Sequence, residues 1–339
     1  MILKENTNLY TNQNVVVTGG AGFIGINLVQ ELCNLGARVT VIDLPSVDFS
    51  PLPPDVNIVR GNILDMSVCE TACMDADYVF HLAAKTDLNG KNLDYYVANY
   101  EGTKNIIEAI KLNKHIKRFV LFSTQLVVGI FNETRFIDQN EPYKTKTFYG
   151  QSKILAEKTT IQDCRKYGVP YIIIRPTSVY GQHGKEPYRD FLLAIKRRRY
   201  FHIGKANNLI SMVYVKNVVE QTLFLSGNDE ANNQIFFSND FVPYTMREFS
   251  DAIGEYFGYR IATISDIIVY PATYFLGILK ALGFNVILYP FRLTNIKANY
   301  CYNIGNSIKL GYFPKYDLHD GVRDTLDWYV TYDTAFKMS

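Results

Sequence analysis

Several things are scarce in this 339-residue chain, and each scarcity removes a class of protein. There are five cysteines, Cys33, Cys69, Cys73, Cys164 and Cys301, an odd and scattered set with no C-x-x-C pair. No disulfide framework is built that way, so reduced thiols in a cytoplasmic protein are expected. Cys69 and Cys73 stand four apart and can share a helix face, but no histidine or cysteine pair completes a set of ligands, so no metal is expected. Neither sign of charge is in excess: 35 Lys and Arg stand against 33 Asp and Glu, which gives no reason to expect a nucleic-acid partner. The basic run Lys196-Arg197-Arg198-Arg199 reads as a solvated helix end. Apolar runs long enough to span a bilayer, roughly 18 residues, are missing. Ile267 to Leu279 comes nearest, but it contains Pro271 and is followed by Lys280 and then Phe284 to Phe291. A buried helix is expected there, with attachment to a membrane surface as the alternative. Met1 to Asn6 lacks an apolar core, so no signal peptide is expected. No internal repeat or low-complexity tract is present. What remains is an ordinary globular composition at a length for one large or two modest domains.

The chain is organised around Val15-Val16-Val17-Thr18-Gly19-Gly20-Ala21-Gly22-Phe23-Ile24-Gly25. A β-branched run meets glycines at once, and the glycines open onto Phe23, Ile24, Leu28, Val29 and Leu32 at helical spacing. Strand, tight loop and helix follow, an arrangement that seats a diphosphate on bare backbone at the positive end of a helix. Gly19 permits the turn, Gly22 permits close approach, and Gly25 lets the helix lie on the strand. The spacing is G-x-x-G-x-x-G rather than G-x-G-x-x-G. The next run, Arg38 to Leu44, places Asp43 where a carboxylate receives the adenosine ribose hydroxyls and repels a 2′-phosphate, so NAD is expected over NADP.

Further apolar runs alternate with helical patterns. Val56 to Val59 reads as a third strand, with Asn62 and Ile63 beyond its end and Asn62 placed to bond an adenine edge. Residues 65–75 read as helix and Tyr78 to Ala84 as a fourth strand in which His81 is structural. Asp94 to Lys111 is helical and contains Asn99. Arg118 to Thr124 is a fifth strand ending in two hydroxyls. A helix begins at Tyr149, and Tyr171 to Pro176 is a sixth strand. This alternation predicts an α/β fold with a doubly wound parallel sheet and right-handed crossovers, its ligands at the carboxyl ends of the strands. After Gly181 the alternation weakens. Residues 182–212 read as basic and irregular, Met212 to Val215 as a return to the main sheet, and Gly321 to Tyr329 as an amphipathic helix. The expected division is a cofactor domain of residues 14–181 plus about 213–238, and a smaller, discontinuous α+β substrate domain of about 182–212 plus 239–337.

Tyr149 and Lys153 stand four apart and so share one helix face. An ammonium beside a phenol stabilises the phenolate and makes it an acid or base nearer neutral pH. Lys153 can also hold the nicotinamide ribose, and the Thr124 hydroxyl can position the reacting group. Together they can move a proton on and off an alcohol while a hydride goes to NAD. Tyr100 and Lys104 have the same spacing, but only Tyr149 opens the helix after the strand ending at Ser123-Thr124. From residue 14 to about 330, the chain resembles the extended short-chain dehydrogenase/reductases of the NAD-dependent epimerase/dehydratase family. The motifs that carry this are Thr18 to Gly25, Asp43, Asn62-Ile63, His81 to Ala84, Asn99, Phe122 to Thr124, Tyr149 to Lys153, Arg175 to Gly181, Val213 to Val215, Leu310 to Pro314 and Trp328-Tyr329. The resemblance implies a Rossmann-type sheet and a catalytic set of Thr124, Tyr149 and Lys153. It implies cofactor contacts from Gly19, Gly22, Phe23, Ile24, Gly25, Asp43, Asn62, Ile63, Leu82, Ala83, Ala84, Asn99, Tyr149, Lys153 and Pro176. It also implies an NAD that often stays bound through a cycle, and a homodimer through a four-helix bundle whose helices start near Asp94 and Tyr149.

The departures from the family pattern bear on the substrate. Gln125 and Leu126 follow Thr124 where dehydratases carry an acid, which argues against elimination of water. Val128 replaces a usual Tyr. Ile210 and Ser211 stand where many epimerases carry an Arg for the nucleotide diphosphate, Asn217 replaces an acid, and Ser178 replaces an Asn. Thr124, Gln125, Ser178 and Arg292 are the candidate substrate contacts. The stretch Phe291 to Thr294 and on through Tyr312 is similar to bacterial surface-polysaccharide members. The main expectation is a nucleotide-sugar 4-epimerase or keto-reductase. The alternative is a 3β-hydroxysteroid- or sterol-type dehydrogenase, to which Gln151 to Glu157 and Val213 to Asn217 are similar. A non-catalytic NAD-sensing regulator is the third reading, and the retained Tyr149, Lys153 and Thr124 argue against it.

Overall fold

The computed structural model describes residues 9–129, 135–281 and 297–337. Seven parallel strands form the central sheet: β1 (Asn14–Thr18), β2 (Arg38–Asp43), β3 (Asn57–Arg60), β4 (Tyr78–His81), β5 (Arg118–Phe122), β6 (Tyr171–Pro176) and β7 (Gln234–Ser238). Their order is β7-β6-β5-β4-β1-β2-β3, so the chain reverses direction between β3 and β4, beside the β1 edge where a crevice opens. The central strands are apolar at successive positions because helices cover both faces of the sheet. Val15, Val17, Val41 and Phe80 face α1 (Phe23–Asn34) and, with Ile172, pack with Val219 and Leu223 of a later helix. Val16, Val79, Phe119 and Ile173 face the other way, with Cys69, Ile106 and Cys164 of α2 (Met66–Cys73), α3 (Val97–Ile110) and α4 (Phe148–Tyr167). All five cysteines are free thiols.

Strands β4 and β5 are shorter than their apolar runs. β4 ends at His81 and β5 at Phe122, so Leu82 to Ala84 and Ser123-Thr124 leave the sheet and turn over its carboxyl edge. The expected return to the main sheet at Met212 to Val215 is corrected. Met212–Tyr214 pairs instead with Ser178–Tyr180 in a separate two-stranded sheet, and the return comes at β7 beside β6. Both segments are buried and apolar, so hydropathy alone does not tell them apart.

Residues 182–212 are less irregular than expected, holding α5 (Tyr188–Lys196) and two short strands. His202–Ile203 runs parallel to Thr263–Ile264, and Leu209–Ile210 antiparallel to Tyr244–Thr245. Helix α6 (Val215–Ser226) lies on the main sheet, and α7 (Met246–Tyr256), α8 (Asp266–Ala281) and α9 (Leu318–Tyr332) follow. A further core gathers Tyr180, Leu192, Tyr214, Phe249, Ile253, Leu326 and Tyr329 from α5, α7, α9 and the small sheet. Arg292 and the stretch Phe284 to Phe291 lie outside the described residues. Among the described residues no helix is long and apolar enough to cross a membrane, and none of the His, Cys, Asp and Glu clusters is set to hold a metal.

Candidate active site

The loop after β1 is shaped by what its glycines lack. Gly19 has φ +70°, and a Cβ there would lie 2.7 Å from the Ala83 amide nitrogen. A Cβ on Gly25 would stand 2.2 Å from the Gly19 carbonyl oxygen, so α1 reaches the loop only without one. Gly22 caps α1, whose first turn carries no acid to offset its positive end. Asp43, at the end of β2, accepts from Ala21 N–H at 3.0 Å and Leu44 N–H at 2.9 Å, which fixes its carboxylate at the rim. Bare backbone, an open helix N-terminus and a fixed carboxylate fit the diphosphate and ribose of NAD. These groups line a cleft of about 760 Å³ together with Gly19, Gly22, Phe23, Ile24, Gly25, Asn62, Ile63, Leu82, Ala83, Ala84, Pro176, Thr124, Tyr149 and Lys153. Asn62 has a second task, since its Oδ1 accepts from Leu64 N–H at 3.0 Å and shapes the turn.

A buried hydrogen-bond chain ties this cradle to α4, the helix that carries Tyr149 and Lys153. The Thr18 hydroxyl accepts from Ala83 N–H at 3.1 Å and meets His81 Nδ1 at 2.7 Å. His81 Nε2 meets the Thr103 hydroxyl at 3.0 Å, and that hydroxyl donates to the Asn99 carbonyl at 2.7 Å. The donors resolve the tautomer: Thr103 spends its proton on Asn99, so His81 donates through Nε2 and accepts the Thr18 proton at Nδ1. Burial, aided by the Lys153 charge, pushes the imidazole down to about 3, which keeps it neutral as this role needs. Asn99 accepts from Lys85 N–H at 2.7 Å and donates to the Lys85 carbonyl at 3.0 Å and the Ser152 hydroxyl at 2.9 Å. Ser152 in turn donates to the Tyr149 carbonyl at 2.7 Å.

The start of α4 is built to bring Tyr149 to Thr124. Thr147 caps the helix, accepting from Gly150 N–H at 3.0 Å, while the Thr124 hydroxyl accepts from Leu126 N–H at 3.3 Å. A Cβ on Gly150 would lie 2.0 Å from the Thr145 hydroxyl and 3.1 Å from the Leu126 carbonyl, so glycine lets the two turns touch. Burial pushes the Tyr149 phenol above its ordinary value, and a hydrogen bond from the side chain of Thr124 pulls it partway back. Lys153, expected to lower the phenol, is not among the groups that do so. Its ammonium donates to the Phe122 carbonyl at 2.7 Å, and burial pushes it down to about 8. Glu157, one turn further along α4, opposes that fall. Glu157 is itself buried and held by Arg175, whose Nε and Nη2 donate to its two oxygens at 2.9 and 2.7 Å, and by the Tyr143 hydroxyl at 2.9 Å.

Three expected contacts stand apart from the cleft wall. Asn99 lies behind it as a connector. Gln125 does not line it, and its Oε1 is buried without a partner. Ser178 hydrogen-bonds Tyr188, which does line the cleft, so it acts one residue removed. Arg292 is outside the described residues. The wall also includes Lys85, Thr86, Lys185, Glu186, Tyr188 and Tyr329. Lys85 and Thr86 directly follow the small residues at the end of β4 and were legible by continuing that run. Tyr329 comes from the far end of the chain and carried no local signal. The acid that Asn217 replaces is supplied elsewhere: Asn217 donates to the buried Asp240 carboxylate at 2.6 Å.

The NAD dependent epimerase/dehydratase family profile matches residues 15–236, and the chain belongs to that family. A 3 beta-hydroxysteroid dehydrogenase/Delta 5-->4-isomerase of Mycobacterium tuberculosis is 27% identical over 337 residues, covering 94% of this chain and 90% of that one. An N-acetyl-alpha-D-glucosaminyl-diphospho-ditrans,octacis-undecaprenol 4-epimerase of Escherichia coli is 28% identical over 229 residues, 66% of each chain. The solved structure of an epimerase from Methanothermobacter thermautotrophicus superposes with a TM-score of 0.82 at 20% identity, covering 100% of this chain and 98% of that one, which shows the shared fold.

Two predictions test the site. Asp43→Ala should cut the preference for NAD over NADP by about tenfold or more, roughly 1.4 kcal/mol, in equilibrium titration; an unchanged ratio removes Asp43 from cofactor selection. NAD affinity should fall as pH rises through about 8, where Lys153 loses its proton. In Glu157→Gln the fall should move to lower pH, because the carboxylate that favours the ammonium is gone. In Lys153→Arg the fall should be absent across this range. An unmoved midpoint in Glu157→Gln contradicts the coupling.

Proposed function

We propose that this chain is an NAD-dependent 4-epimerase or keto-reductase acting on a ring hydroxyl of a nucleotide-diphosphate sugar. The observation that carries this reading is the convergence of Thr124, Tyr149 and Lys153 on the cleft that the glycine loop opens. Bound NAD supplies the hydride acceptor and donor. Tyr149 takes the proton from the substrate hydroxyl and returns it to the carbonyl oxygen, and Thr124 hydrogen-bonds both that oxygen and the phenol. Lys153 holds the nicotinamide ribose. No carboxylate follows Thr124, where dehydratases carry their acid, which argues against loss of water. Beyond Tyr149, Lys85 and Lys185 offer cations to a diphosphate, and Thr86 and Glu186 offer hydrogen bonds to a sugar. In this reading the sugar sits against the core formed by α5, α7 and α9, which serves as the substrate domain. The protein works in the cytoplasm, in polysaccharide biosynthesis, as a homodimer in which α3 and α4 meet their counterparts.

One second reading is favoured by a specific observation. The likeness to the mycobacterial 3 beta-hydroxysteroid enzyme covers nearly the whole chain, and Val179, Pro187 and Leu192 give the cleft an apolar flank. A 3β-hydroxysteroid or sterol is the substrate in that case, and the roles of Tyr149, Lys153 and Thr124 are unchanged.

A panel of nucleotide-diphosphate sugars, polyprenyl-diphosphate sugars and 3β-hydroxysteroids separates the two. Tyr149→Phe should lower turnover on the accepted substrate by roughly 10²–10⁴-fold while NAD affinity stays at the wild-type value. Normal turnover in that variant would sink the assignment.

A further inference from the structure

Over residues 266–274, helix α8 turns apolar side chains outward. A surface helix ordinarily buries its apolar stripe and shows water a polar one. Here Val269 and Thr273, four apart, are the buried pair, while Ile267, Tyr270, Pro271 and Tyr274 form the outward stripe. Ile267 is 85% exposed, Ile268 64%, Tyr270 46% and Tyr274 65%. Scattered exposed apolar residues need no explanation, but a continuous helical stripe of them does. The acid at its start, Asp266, is neutralised by an ion pair with Lys297.

The ribbon that leads into this stripe carries cations. The ribbon formed by His202–Ile203 and Thr263–Ile264 runs directly into α8, with Gly204 N–H donating to the Ile264 carbonyl at 2.9 Å. Lys205 follows one strand of the ribbon. Arg197, Arg198, Arg199 and the exposed Phe201 precede that strand, and Arg260 precedes the other. All five cations are exposed and, among the described residues, none is in an ion pair; Arg198 stands over the Tyr259 ring at 4.9 Å. Of the acids on the neighbouring α7, Asp251 is bonded to His202 and Glu248 to the cap of its own helix, which leaves Glu255. The sequence has no Asp or Glu from 191 through 219, nor from 267 through 316.

We infer that this face docks on an anionic membrane surface. α8 lies in the interfacial plane, with Ile267, Ile268, Tyr270 and Tyr274 at the boundary of headgroups and acyl chains. Arg197, Arg199, Lys205 and Arg260 meet the lipid phosphates. An apolar stripe joined to a ribbon that carries unpaired cations suits such a surface, and tyrosine suits a site that is apolar at one end and wet at the other. A second copy of the chain would bring the same cations face to face, at a like-charge cost. This docking is independent of which hydroxyl the enzyme oxidises.

The test is flotation of the full chain with vesicles of phosphatidylcholine alone or of phosphatidylcholine mixed with phosphatidylglycerol. The protein should float with the mixed vesicles, stay behind with the neutral ones, and be released by raised salt. Arg197→Gln with Arg199→Gln should weaken binding roughly 30-fold, about 5-fold for each cation removed. Ile267→Asp with Tyr274→Asp should abolish it. NAD affinity of each variant should match the wild type, which shows that the fold is kept. Failure of the wild type to float with either vesicle overturns the inference, as does equal binding to neutral vesicles. So does a sedimentation coefficient that falls in Ile267→Asp with Tyr274→Asp, since the face would then be covered by another copy.

Discussion

The structure depends on one run of hydrogen bonds buried beneath the cleft. It begins at Thr18, passes through His81, Thr103, Asn99 and Ser152, and ends at the Tyr149 carbonyl. The glycine loop, the end of β4, α3 and α4 are thereby set relative to one another. Losing a member would leave a buried donor or acceptor unmet, at about 1–3 kcal/mol, so the run resists piecemeal change. Its functional meaning is spatial. The loop that fits a diphosphate and the helix that carries the phenol come from segments over a hundred residues apart, and hydride transfer tolerates little error in their separation.

A second constraint concerns charge. Lys153 is buried deeply enough to be pushed down to about 8, and an ammonium in such a place needs support. Glu157 gives it, and Glu157 survives burial only because Arg175 grips it bidentately and Tyr143 adds a third bond. Arg175 belongs to β6, the strand that ends at Pro176 in the cleft wall. Lys153, Glu157 and Arg175 thus form one electrostatic unit, in which the charge of Lys153 in the cleft wall is set by groups outside that wall.

Much of this was legible in the sequence. The strand-glycine-helix opening, Asp43 and the Tyr149–Lys153 spacing each have a local chemical reason, and each stands in the cleft wall. Asn99 was expected as a cofactor contact from the family resemblance. What sequence could not convey is that its amide is consumed by Lys85 and Ser152, partners fixed only by the fold. The seventh strand was placed too early because Met212 to Tyr214 and Gln234 to Ser238 are both buried, and pairing is a tertiary choice that hydropathy does not encode. Tyr329 and Tyr188 reach the cleft through packing of the last core. The apolar run that starts at Ile267 was expected to be a buried helix, yet Ile267, Ile268, Tyr270 and Tyr274 are exposed. Composition told of the run, and only the fold told which way it faces.

The measurement that tests the central claim most directly is native mass spectrometry of the purified chain, followed by denaturation to identify released molecules. The account predicts that NAD is released, or is taken up at one per chain on titration. A chain that binds no dinucleotide, or that takes NADP in preference, would contradict it.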